Sequence, residues 1–419
     1  MKKTAILFSG QGSQYLGMGK GLYEQHDYVR DLFANASTLL GVDMEGLCFS
    51  DKGDKLSQTE NTQPALFLVS FAYWQVLSKT SGLKPAYMAG HSLGELTALA
   101  AAGAMSFEQG LKLARARGLA MMKSNNECGM TAINKLPIKL LRELCESVEG
   151  FGSEFVIANF NSPEQHVLSG RLERLEAVGD ILKRAGAAVF PLRVSGAFHS
   201  PFMAEAIAEF ESELNQIEFQ PLQVPVISNV TAAPHASSDS IKSNLLLQMT
   251  SPVRWQESIE LLASEGVDSV IEAGPKNVLK KLASHINNDL EAYSLDEPED
   301  GVLLEKALAE SNNAKHKKPE FFGKCLAVAV ATRNSNWDEE AYQNGVVTPY
   351  QKLKAMHESY KTAPKEITTD DVHTALSLVQ TILNTKGVPA DERKSRYQQI
   401  VEQTGVENQL SAEQLSAYA

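Results

Sequence analysis

The sequence predicts an α/β protein with an additional helical segment at its C-terminal end. Short apolar runs of strand length alternate with longer helix-compatible segments up to about residue 300, which is the pattern of a sheet covered by helices. Between residues 129 and 195 the order of these segments changes, which indicates a second, smaller sheet. The 419 residues, 43% of them hydrophobic, are too many for one ordinary domain and enough for a sizeable core.

The first strand is predicted from the apolar run Ala5–Phe8, and a glycine-rich loop follows it. This loop fails as a dinucleotide fingerprint because Tyr15 occupies the third glycine position, and it fails as a phosphate loop because Met18 stands where lysine is required. Its backbone N–H groups are expected to approach something negative. Beside a nucleophile, that group would be an oxyanion.

The second strand, Ala86–Ala89, runs into the pattern Gly-His-Ser-Leu-Gly at residues 90–94 and then into a helix. A Gly-x-Ser-x-Gly turn between a strand and a helix holds its serine in a strained, exposed position, as in α/β-hydrolase-like domains. Glycine is needed because a side chain would collide with the neighbouring strand or helix. The bare pattern also occurs in ordinary tight turns, so it is the strand and helix context that predicts Ser92 as a nucleophile.

A helix ending near residue 122 is predicted because Ser106 and Gln109 form a capping-box pattern before a mostly apolar run. Arg115 and Arg117 interrupt this run. Residues two apart on a helix are rotated by about 200°, so only one of them can face the core. An inward arginine needs a carboxylate, which a substrate or a structural Asp or Glu could supply. The alternative places both arginines on a solvated face.

Residues 129–195 predict an inserted ferredoxin-like subdomain. Its segments follow the order strand, helix, strand, strand, helix, strand, which is the split βαββαβ unit. The segments are Met130–Ile133, Pro137–Val148, Phe155–Phe160, His166–Ser169, Leu172–Ala185 and Ala188–Val194. The insertion interrupts the large domain, so the active site is expected in the cleft between them.

A serine nucleophile needs a base, and His199 is the candidate among nine histidines. It lies in a small-residue loop beyond an apolar segment and is free to point into a cleft, although it could merely cap the next helix. His91 adjoins Ser92, but adjacent side chains on a sharp turn diverge, so His91 is expected to support the turn. No paired or cysteine-partnered histidine spacing predicts a metal site.

Seven motifs occur in the order seen in malonyl-CoA:acyl-carrier-protein transacylases, and the chain resembles this family from about residue 3 to residue 300. Among its members, the chain resembles the discrete, trans-acting malonyl-type acyltransferases of polyketide synthases. The motifs are Phe8-Ser9-Gly10-Gln11-Gly12-Ser13-Gln14, the Gly-His-Ser-Leu-Gly turn, Arg117, Ile157-Ala158-Asn159-Phe160-Asn161-Ser162-Pro163, Gly196-Ala197-Phe198-His199-Ser200, Gln248 in Gln248-Met249-Thr250-Ser251-Pro252-Val253-Arg254-Trp255, and Glu272-Ala273-Gly274-Pro275.

The resemblance implies a role for each matching residue. Ser92 would carry the acyl group, and His199 would be its general base. The backbone N–H groups of Gln11 and Leu93 would form the oxyanion hole. Arg117 would bind the free carboxylate of malonate in a two-pronged pair.

The resemblance also suggests how the base is oriented and which acyl group is preferred. Gln248 matches the position that helps to orient the histidine in place of a triad carboxylate, and no Asp or Glu adjoins that motif. Phe198 would crowd the α-carbon of the acyl group, which favours malonyl over methylmalonyl. One methyl group is worth only about 1 to 3 kcal/mol in a pocket, so this preference can be incomplete.

Composition limits the compartment and the partners. The N-terminal segment is too short for a signal peptide, and no run of eighteen apolar residues exists, so we expect a cytoplasmic protein without a membrane partner. The net charge of −12 argues against nucleic acid. Four cysteines without paired spacing are expected to be reduced packing residues: Cys48, Cys128, Cys145 and Cys325. An acidic carrier protein would require a local basic patch on this chain. The candidate residues are Arg193, Arg254, Lys276, Lys280 and Lys281. The alternative for each of them is ordinary solvated surface.

The expected domain organisation has three parts and a linker. Residues 1–128 and 196–310 form the large α/β domain, and 129–195 form the ferredoxin-like subdomain. A polar, proline-ended linker at 311–320 leads to a mainly helical extension at 321–419, which the resemblance does not cover. The extension either packs its apolar faces onto the core or docks another protein. No synthase or carrier domain is fused to the chain, so we expect it to act in trans.

Three functions remain open. The first is a transferase that moves malonyl from malonyl-CoA to the phosphopantetheine thiol of an acyl carrier protein, without a bound cofactor, in polyketide or fatty-acid synthesis. The second is an acyl hydrolase of the same fold that clears carrier proteins, for which a carboxylate clamp such as Arg117 has no obvious use. The third is a catalytically silent scaffold that binds carrier proteins, against which the retention of Ser92 and His199 argues.

Overall fold

A computed structural model of the chain divides into two compact units, residues 1–308 and 309–419. The residues that it describes are 3–122, 127–194, 196–304, 306–307, 321–362, 367–404 and 406. The linker expected at 311–320 lies outside these residues. The first unit contains two sheets, and the described part of the second is helical.

The large sheet is parallel and fixes the position of the Gly-x-Ser-x-Gly turn. Its strands are β1 (Thr4–Phe8), β2 (Tyr87–Gly90), β7 (Val226–Ile227), β8 (Ser269–Ala273) and β9 (Glu291–Ser294), in the order β7-β2-β1-β8-β9. β1 and β8 are buried along their whole length, as expected for parallel strands that helices cover on both faces. Phe8 pairs with Gly90 at the carboxyl ends of β1 and β2, so the two glycine-containing loops leave the sheet side by side.

Helices enclose this sheet, and three of them form the packing behind the site. The helices of the first unit are α1 (Lys20–Gln25), α2 (Asp27–Leu40), α3 (Met44–Phe49), α4 (Thr59–Ser81), α5 (Leu93–Ala101), α6 (Phe107–Met122), α7 (Ile138–Glu146), α8 (Leu172–Arg184), α9 (Ile207–Leu214), α10 (Ser238–Thr250), α11 (Trp255–Ser264) and α12 (Val278–Ile286). α4 is apolar on nearly all sides and packs against α5 and α6, as a helix buried in a core does.

The small sheet is antiparallel and has the order β4-β5-β3-β6. Its strands are β3 (Cys128–Asn134), β4 (Phe155–Ser162), β5 (Gln165–Arg171) and β6 (Ala188–Pro191). α7 and α8 pack on one face through a separate apolar core. The backbone of Val253 joins this sheet to the large domain, because it donates to the carbonyl of Ala158 and accepts from the N–H of Phe160, both over 2.9 Å.

The C-terminal unit is helical in the part described. Its helices are α13 (Phe321–Ala331), α14 (Glu339–Tyr342), α15 (Thr348–Thr362), α16 (Thr369–Thr385) and α17 (Ala390–Thr404). α13, α15, α16 and α17 bury apolar side chains against one another in a core of their own, to which Phe322, Leu353, Leu376 and Ile400 belong. The unit therefore has the internal packing of an independent domain.

The predicted fold class, an α/β domain with an inserted ferredoxin-like sheet and a helical C-terminal extension, is confirmed. All four cysteines are buried and free of disulfides. Within the described ranges, no helix has the length and apolar character that a bilayer crossing requires.

Candidate active site

Ser92 stands at the sharp turn between β2 and α5. Its backbone has φ 53° and ψ −105°, a conformation that costs a non-glycine residue of order 1–3 kcal/mol. Only glycine fits at the positions two residues before and two residues after Ser92. A Cβ on Gly90 would lie 1.9 Å from the carbonyl carbon of Gly94, and a Cβ on Gly94 would lie 2.1 Å from the carbonyl oxygen of Phe8. The close approach of β1, β2 and α5 thus accounts for both glycines of the motif.

His199 reaches Ser92 from the loop that follows β6. Ser92 Oγ and His199 Nε2 are 2.7 Å apart, and His199 Nδ1 is 2.8 Å from the backbone carbonyl oxygen of Gln248. A carbonyl can only accept, so Nδ1 carries the proton and Nε2 is left to accept the hydroxyl proton of Ser92. The pair has the geometry of a nucleophile and its general base.

Burial controls the charge of this base. His199 is 3% exposed, and its burial, together with the nearby cation of Arg117, lowers its pKa to about 3, while the bond to the Gln248 carbonyl opposes the shift. The imidazole is therefore neutral at physiological pH, which is the form that can accept a proton.

Arg117 is the arginine of α6 that faces inward. It is 1% exposed and donates to Ser92 Oγ over 3.1 Å, to Gln248 Oε1 over 2.8 Å and to Gln63 Oε1 over 3.0 Å. Burial lowers its pKa to about 10, which leaves it cationic at neutral pH, and the charge of Glu95 opposes this shift. A buried cation whose direct partners are neutral amides and a hydroxyl is suited to bind a carboxylate.

Arg115 points away from Ser92. Its guanidinium donates to the backbone carbonyl of Glu60 over 2.5 Å and to Asn61 Oδ1 over 2.8 Å. The two arginines thus take opposite sides of α6, and Arg117 is the one beside Ser92.

Two buried residues that the sequence analysis did not single out complete the surroundings of Ser92. Asn229 Oδ1 accepts from the N–H of Ser92, and its Nδ2 donates to the carbonyl of Gly90, both over 2.7 Å. Glu95 is fully buried and accepts from Gln248 Nε2 over 2.7 Å and from the N–H of Asn229 over 3.0 Å. A lone carboxylate at the start of an otherwise apolar helix is a signal that could have pointed to Glu95.

Gln248 acts through two different groups. Its backbone carbonyl accepts from His199, whereas its side-chain amide contacts Arg117 and Glu95. The carboxylate of Glu95 therefore supports the arginine side of the site through Gln248. The ring nitrogens of His199 bond to Ser92 and to the Gln248 carbonyl, which is the arrangement of a two-member catalytic pair.

A cavity of about 400 Å³ opens over Ser92 between the two sheets of the first unit. The α7 and α8 face of the small sheet is covered, and its other face supplies Met130, Ala132 and Val167 to the cavity wall. Phe198 is 5% exposed and also lines the cavity. Further lining residues come from the β1 loop and from α12: Gly10, Gln11, Gly12, Ser13, Gln14, Val278, Leu279 and Leu282.

Of the two residues whose backbone N–H groups are expected in the oxyanion hole, Gln11 lines this cavity and Leu93 follows Ser92 in the chain. Gln11 lies in the loop after β1, and Leu93 is the first residue of α5. The first N–H groups of a helix have no intrahelical acceptor, and the helix dipole is positive there. The side chain of Gln11 donates to Thr59 Oγ1 over 3.3 Å.

The ring of His91 contacts a residue of β4. Its Nε2 is 2.8 Å from Asn161 Oδ1, and its ring packs on Trp255 with centroids 5.4 Å apart. Burial lowers its pKa. These contacts turn His91 toward the small sheet and leave the Ser92 hydroxyl to His199.

The basic residues expected to receive a carrier protein differ in their surroundings. Arg193 lines the cavity, and Lys276 donates to the carbonyl of Gly12 in the β1 loop over 3.1 Å. Arg254 is paired with Glu257, and Lys280 is paired with Glu297 and Asp300. Of these four residues, Arg193 is the one that lines the cavity, and ion pairs within the chain balance the charges of Arg254 and Lys280.

The chain is similar to known acyl transferases. The family model "Acyl transferase domain" matches residues 6–293. A malonyl CoA-acyl carrier protein transacylase of Bacillus subtilis is 36% identical over 395 residues, which span 94% of this chain and 99% of that relative. This match includes most of the C-terminal unit. A second such transacylase, from Bacillus subtilis strain 168, is 39% identical over 316 residues, spanning 75% of this chain and 99% of the relative.

Solved structures agree with the sequence matches. The malonyl CoA-acyl carrier protein transacylase of Coxiella burnetii superimposes with a TM-score of 0.70 at 34% identity and covers 73% of this chain and 98% of that one. A malonyl-transacylase solved in complex with a type II polyketide synthase acyl-carrier protein gives 0.69 at 37% identity, over 72% of this chain and 98% of the matched chain. The chain belongs to the malonyl-CoA:acyl-carrier-protein transacylase family.

Proposed function

We propose that this protein transfers a malonyl group from malonyl-CoA to the phosphopantetheine thiol of an acyl carrier protein by a ping-pong mechanism through a Ser92 acyl-enzyme. The observation that carries the proposal is the meeting of three groups in one cavity: His199 Nε2 lies 2.7 Å and Arg117 Nη2 lies 3.1 Å from Ser92 Oγ. Base, nucleophile and carboxylate clamp are the parts that this reaction needs. Relatives named as malonyl transacylases support the same conclusion.

In the first half-reaction, Ser92 Oγ attacks the thioester carbonyl of malonyl-CoA while its proton passes to His199 Nε2. The N–H groups of Gln11 and Leu93 stabilise the oxyanion that forms. The carbon–sulfur bond then breaks, the CoA sulfur takes the proton from His199, and malonyl remains on Ser92 as an ester.

In the second half-reaction, the phosphopantetheine thiol gives its proton to His199 and attacks the malonyl ester. The bond to Ser92 Oγ breaks, and the serine recovers its proton from His199. Both halves use the same base and the same oxyanion site, so one cavity serves donor and acceptor in turn.

Arg117 and Phe198 select the acyl group. Arg117 pairs with the free carboxylate of malonate, which acetyl lacks, and this separates the transferase from a hydrolase of simple acyl chains. Phe198, beside His199 in the cavity wall, favours malonyl over methylmalonyl. The product supplies extender units to polyketide or fatty-acid synthesis, and the match to a malonyl-transacylase solved with a type II polyketide synthase acyl-carrier protein supports the polyketide route.

The test is intact-protein mass spectrometry after incubation with malonyl-CoA and then with a carrier protein bearing phosphopantetheine. We expect a malonyl adduct that disappears as the carrier gains the same mass. Ser92→Ala removes the nucleophile with little loss of volume, and this folded variant should stay unmodified. An adduct on that variant would place the chemistry elsewhere, and an adduct released to water in the presence of carrier would favour the hydrolase.

A further inference from the structure

The backbone of Ser92 is held from both sides by two amide side chains that come from distant parts of the chain. Asn229 spans the turn, accepting from the N–H of Ser92 and donating to the carbonyl of Gly90, each over 2.7 Å. Gln248 Nε2 donates to the carbonyl of Ser92 over 3.1 Å. The φ of 53° at Ser92 is unfavourable for this residue, and such a conformation persists only where the surroundings over-determine it.

These contacts fix the two peptide planes that meet at Ser92. The carbonyl of Ser92 and the N–H of Leu93 belong to one planar peptide unit, so holding the carbonyl also sets the direction of that N–H. The N–H of Leu93 is one of the two oxyanion donors in the proposed function. The turn, the nucleophile and the oxyanion donor are thus positioned by the same pair of amides.

One carboxylate binds the side chain of Gln248 and the backbone of Asn229. Glu95 is fully buried, and its Oε2 accepts from Gln248 Nε2 over 2.7 Å and from the backbone N–H of Asn229 over 3.0 Å. His235 Nε2 lies 2.9 Å from the other oxygen. An ionised carboxylate only accepts, so the Gln248 amide must turn its NH2 toward Glu95 and its oxygen toward Arg117. Three donors also satisfy the buried carboxylate.

We propose that Asn229, held in place by Glu95, is a positioning residue that keeps Ser92 in its strained reactive conformation, while Gln248 fixes the peptide unit that carries the N–H of Leu93. This inference rests on the proposed acyl transfer. Asn229 bonds to the backbone of the turn, whereas Arg117 bonds to Gln63, Gln248 and the Ser92 hydroxyl. Asn229 should therefore affect every acyl donor equally and leave the preference for malonyl unchanged.

The first test is the single-turnover rate of Ser92 acylation in the full-length Asn229→Leu variant, with malonyl-CoA and with acetyl-CoA. A displaced nucleophile costs up to about a hundredfold, so we expect both rates to fall by about ten- to a hundredfold with their ratio unchanged. Asp300→Asn is the control, because Asp300 is also a buried carboxylate but binds Lys280 and the N–H of Ser294 instead. It should acylate like the wild type.

The second test uses Asn229→Asp and keeps the inference testable if the leucine variant fails to fold. A protonated aspartic acid at this position would reproduce the amide, because its carbonyl accepts from Ser92 and its hydroxyl donates to Gly90. Burial and the charge of Glu95 favour this neutral form. The acylation rate of Asn229→Asp divided by that of the wild type should thus be highest near pH 5 and should fall as the new carboxyl group ionises. The same ratio for Asn229→Leu should not change with pH.

Each result has a distinct meaning. Wild-type protein that never forms a malonyl adduct overturns the proposed function and this inference together. If the wild type is acylated normally, three results overturn the positioning role alone. The Asn229→Leu rate could lie within about twofold of the wild-type rate, or only its rate with malonyl-CoA could fall. Alternatively, Asp300→Asn could lose as much rate as Asn229→Leu. A pH-independent ratio for Asn229→Asp also overturns the positioning role.

Discussion

Arg117 Nη2 lies 3.1 Å from Ser92 Oγ, so the cation and the nucleophile are in direct contact. If Ser92 carries the acyl group and Arg117 binds its carboxylate, as proposed, a short acyl chain fits this spacing best. Malonate has one carbon between its two carbonyl groups, and succinate has two. Under the proposed roles of Ser92 and Arg117, this contact would favour a malonyl group by length as well as by charge.

Arg117→Ala should reduce the preference of the protein for malonyl over acetyl. A charge-assisted pair with a carboxylate contributes roughly 1.5 to 3 kcal/mol, so malonyl loading should fall at least about tenfold while acetyl loading loses far less. The measurement is single-turnover acylation with each donor. Arg115→Ala is the matched control on the outward side of α6, and its malonyl-to-acetyl ratio should equal that of the wild type. Equal losses with both donors in Arg117→Ala would make Arg117 structural.

His199→Ala should slow acylation by about a hundredfold or more, because it removes the general base. His91→Ala is the comparison, since His91 is the neighbour of Ser92 in sequence but contacts Asn161. Rates of adduct formation, measured on variants with wild-type circular dichroism, decide between them. A larger loss in His91→Ala would transfer the role of base to that residue.

The pH dependence of acylation follows from the pKa of His199. The base is active when neutral, and burial and the Arg117 cation hold its pKa at about 3, so the rate should be nearly constant from about pH 8 to about pH 5 and fall only below that range. Removing a nearby cation raises the pKa of a histidine. The acid decline of Arg117→Ala should consequently begin at higher pH than that of the wild type, and an unchanged profile would contradict the coupling between the two residues.

The sequence was sufficient to predict the residues that meet at Ser92 but not the contacts that hold them. Gly90 and Gly94 are readable because strand, turn and helix are adjacent in the chain. Helical geometry shows only that one of Arg115 and Arg117 faces inward, and the family resemblance is what identifies Arg117. Asn229 contacts Gly90 across 139 residues, and nothing in its local sequence marks this contact. Such long-range hydrogen bonds depend on the packing of β7 beside β2.

Helix starts in the C-terminal unit show a second limit. Thr348 before Pro349 is a sequence signal for a helix start, and α15 does begin at Thr348, but the sequence gives no sign of the π-helical stretch at Gln343–Val347 that joins α15 to the preceding helix. By contrast, α16 does have a capping box, formed by Thr368 and Asp371. Capping chemistry is local and readable, whereas a π-helical continuation depends on packing.

Glu272→Gln should stabilise the protein at alkaline pH. Glu272 is fully buried, and burial raises its pKa to about 7. A group with a raised pKa stabilises the fold below its unfolded value and loses that contribution as pH rises through its folded value. The glutamine side chain can still bond Ser9 and the N–H of Lys280. The gain should be roughly 1–3 kcal/mol at about pH 8 and near zero at about pH 4.5, measured by urea unfolding. A loss at the higher pH would show that the ionised form is the stable one.

A chain truncated after Asn312 should still form the malonyl-enzyme at the wild-type rate. Ser92, His199 and Arg117 all lie in the first compact unit, and the C-terminal helices have a core of their own. In addition, a match that uses only 75% of this chain covers 99% of the transacylase from Bacillus subtilis strain 168. Loss of self-acylation in the truncated chain would show that the catalytic unit depends on the extension.

The acceptor step of the same truncated chain tests whether the extension docks a partner. If it does, the KM for the native carrier protein should rise while self-acylation from malonyl-CoA stays unchanged, because donor binding uses the cavity of the first unit alone. The control acceptor is free pantetheine, which presents the thiol without a protein surface, so its transfer rate should be equal for both chain lengths. An unchanged KM for the carrier would remove the docking role, since a lost protein contact must weaken binding of the protein acceptor and not of the small thiol.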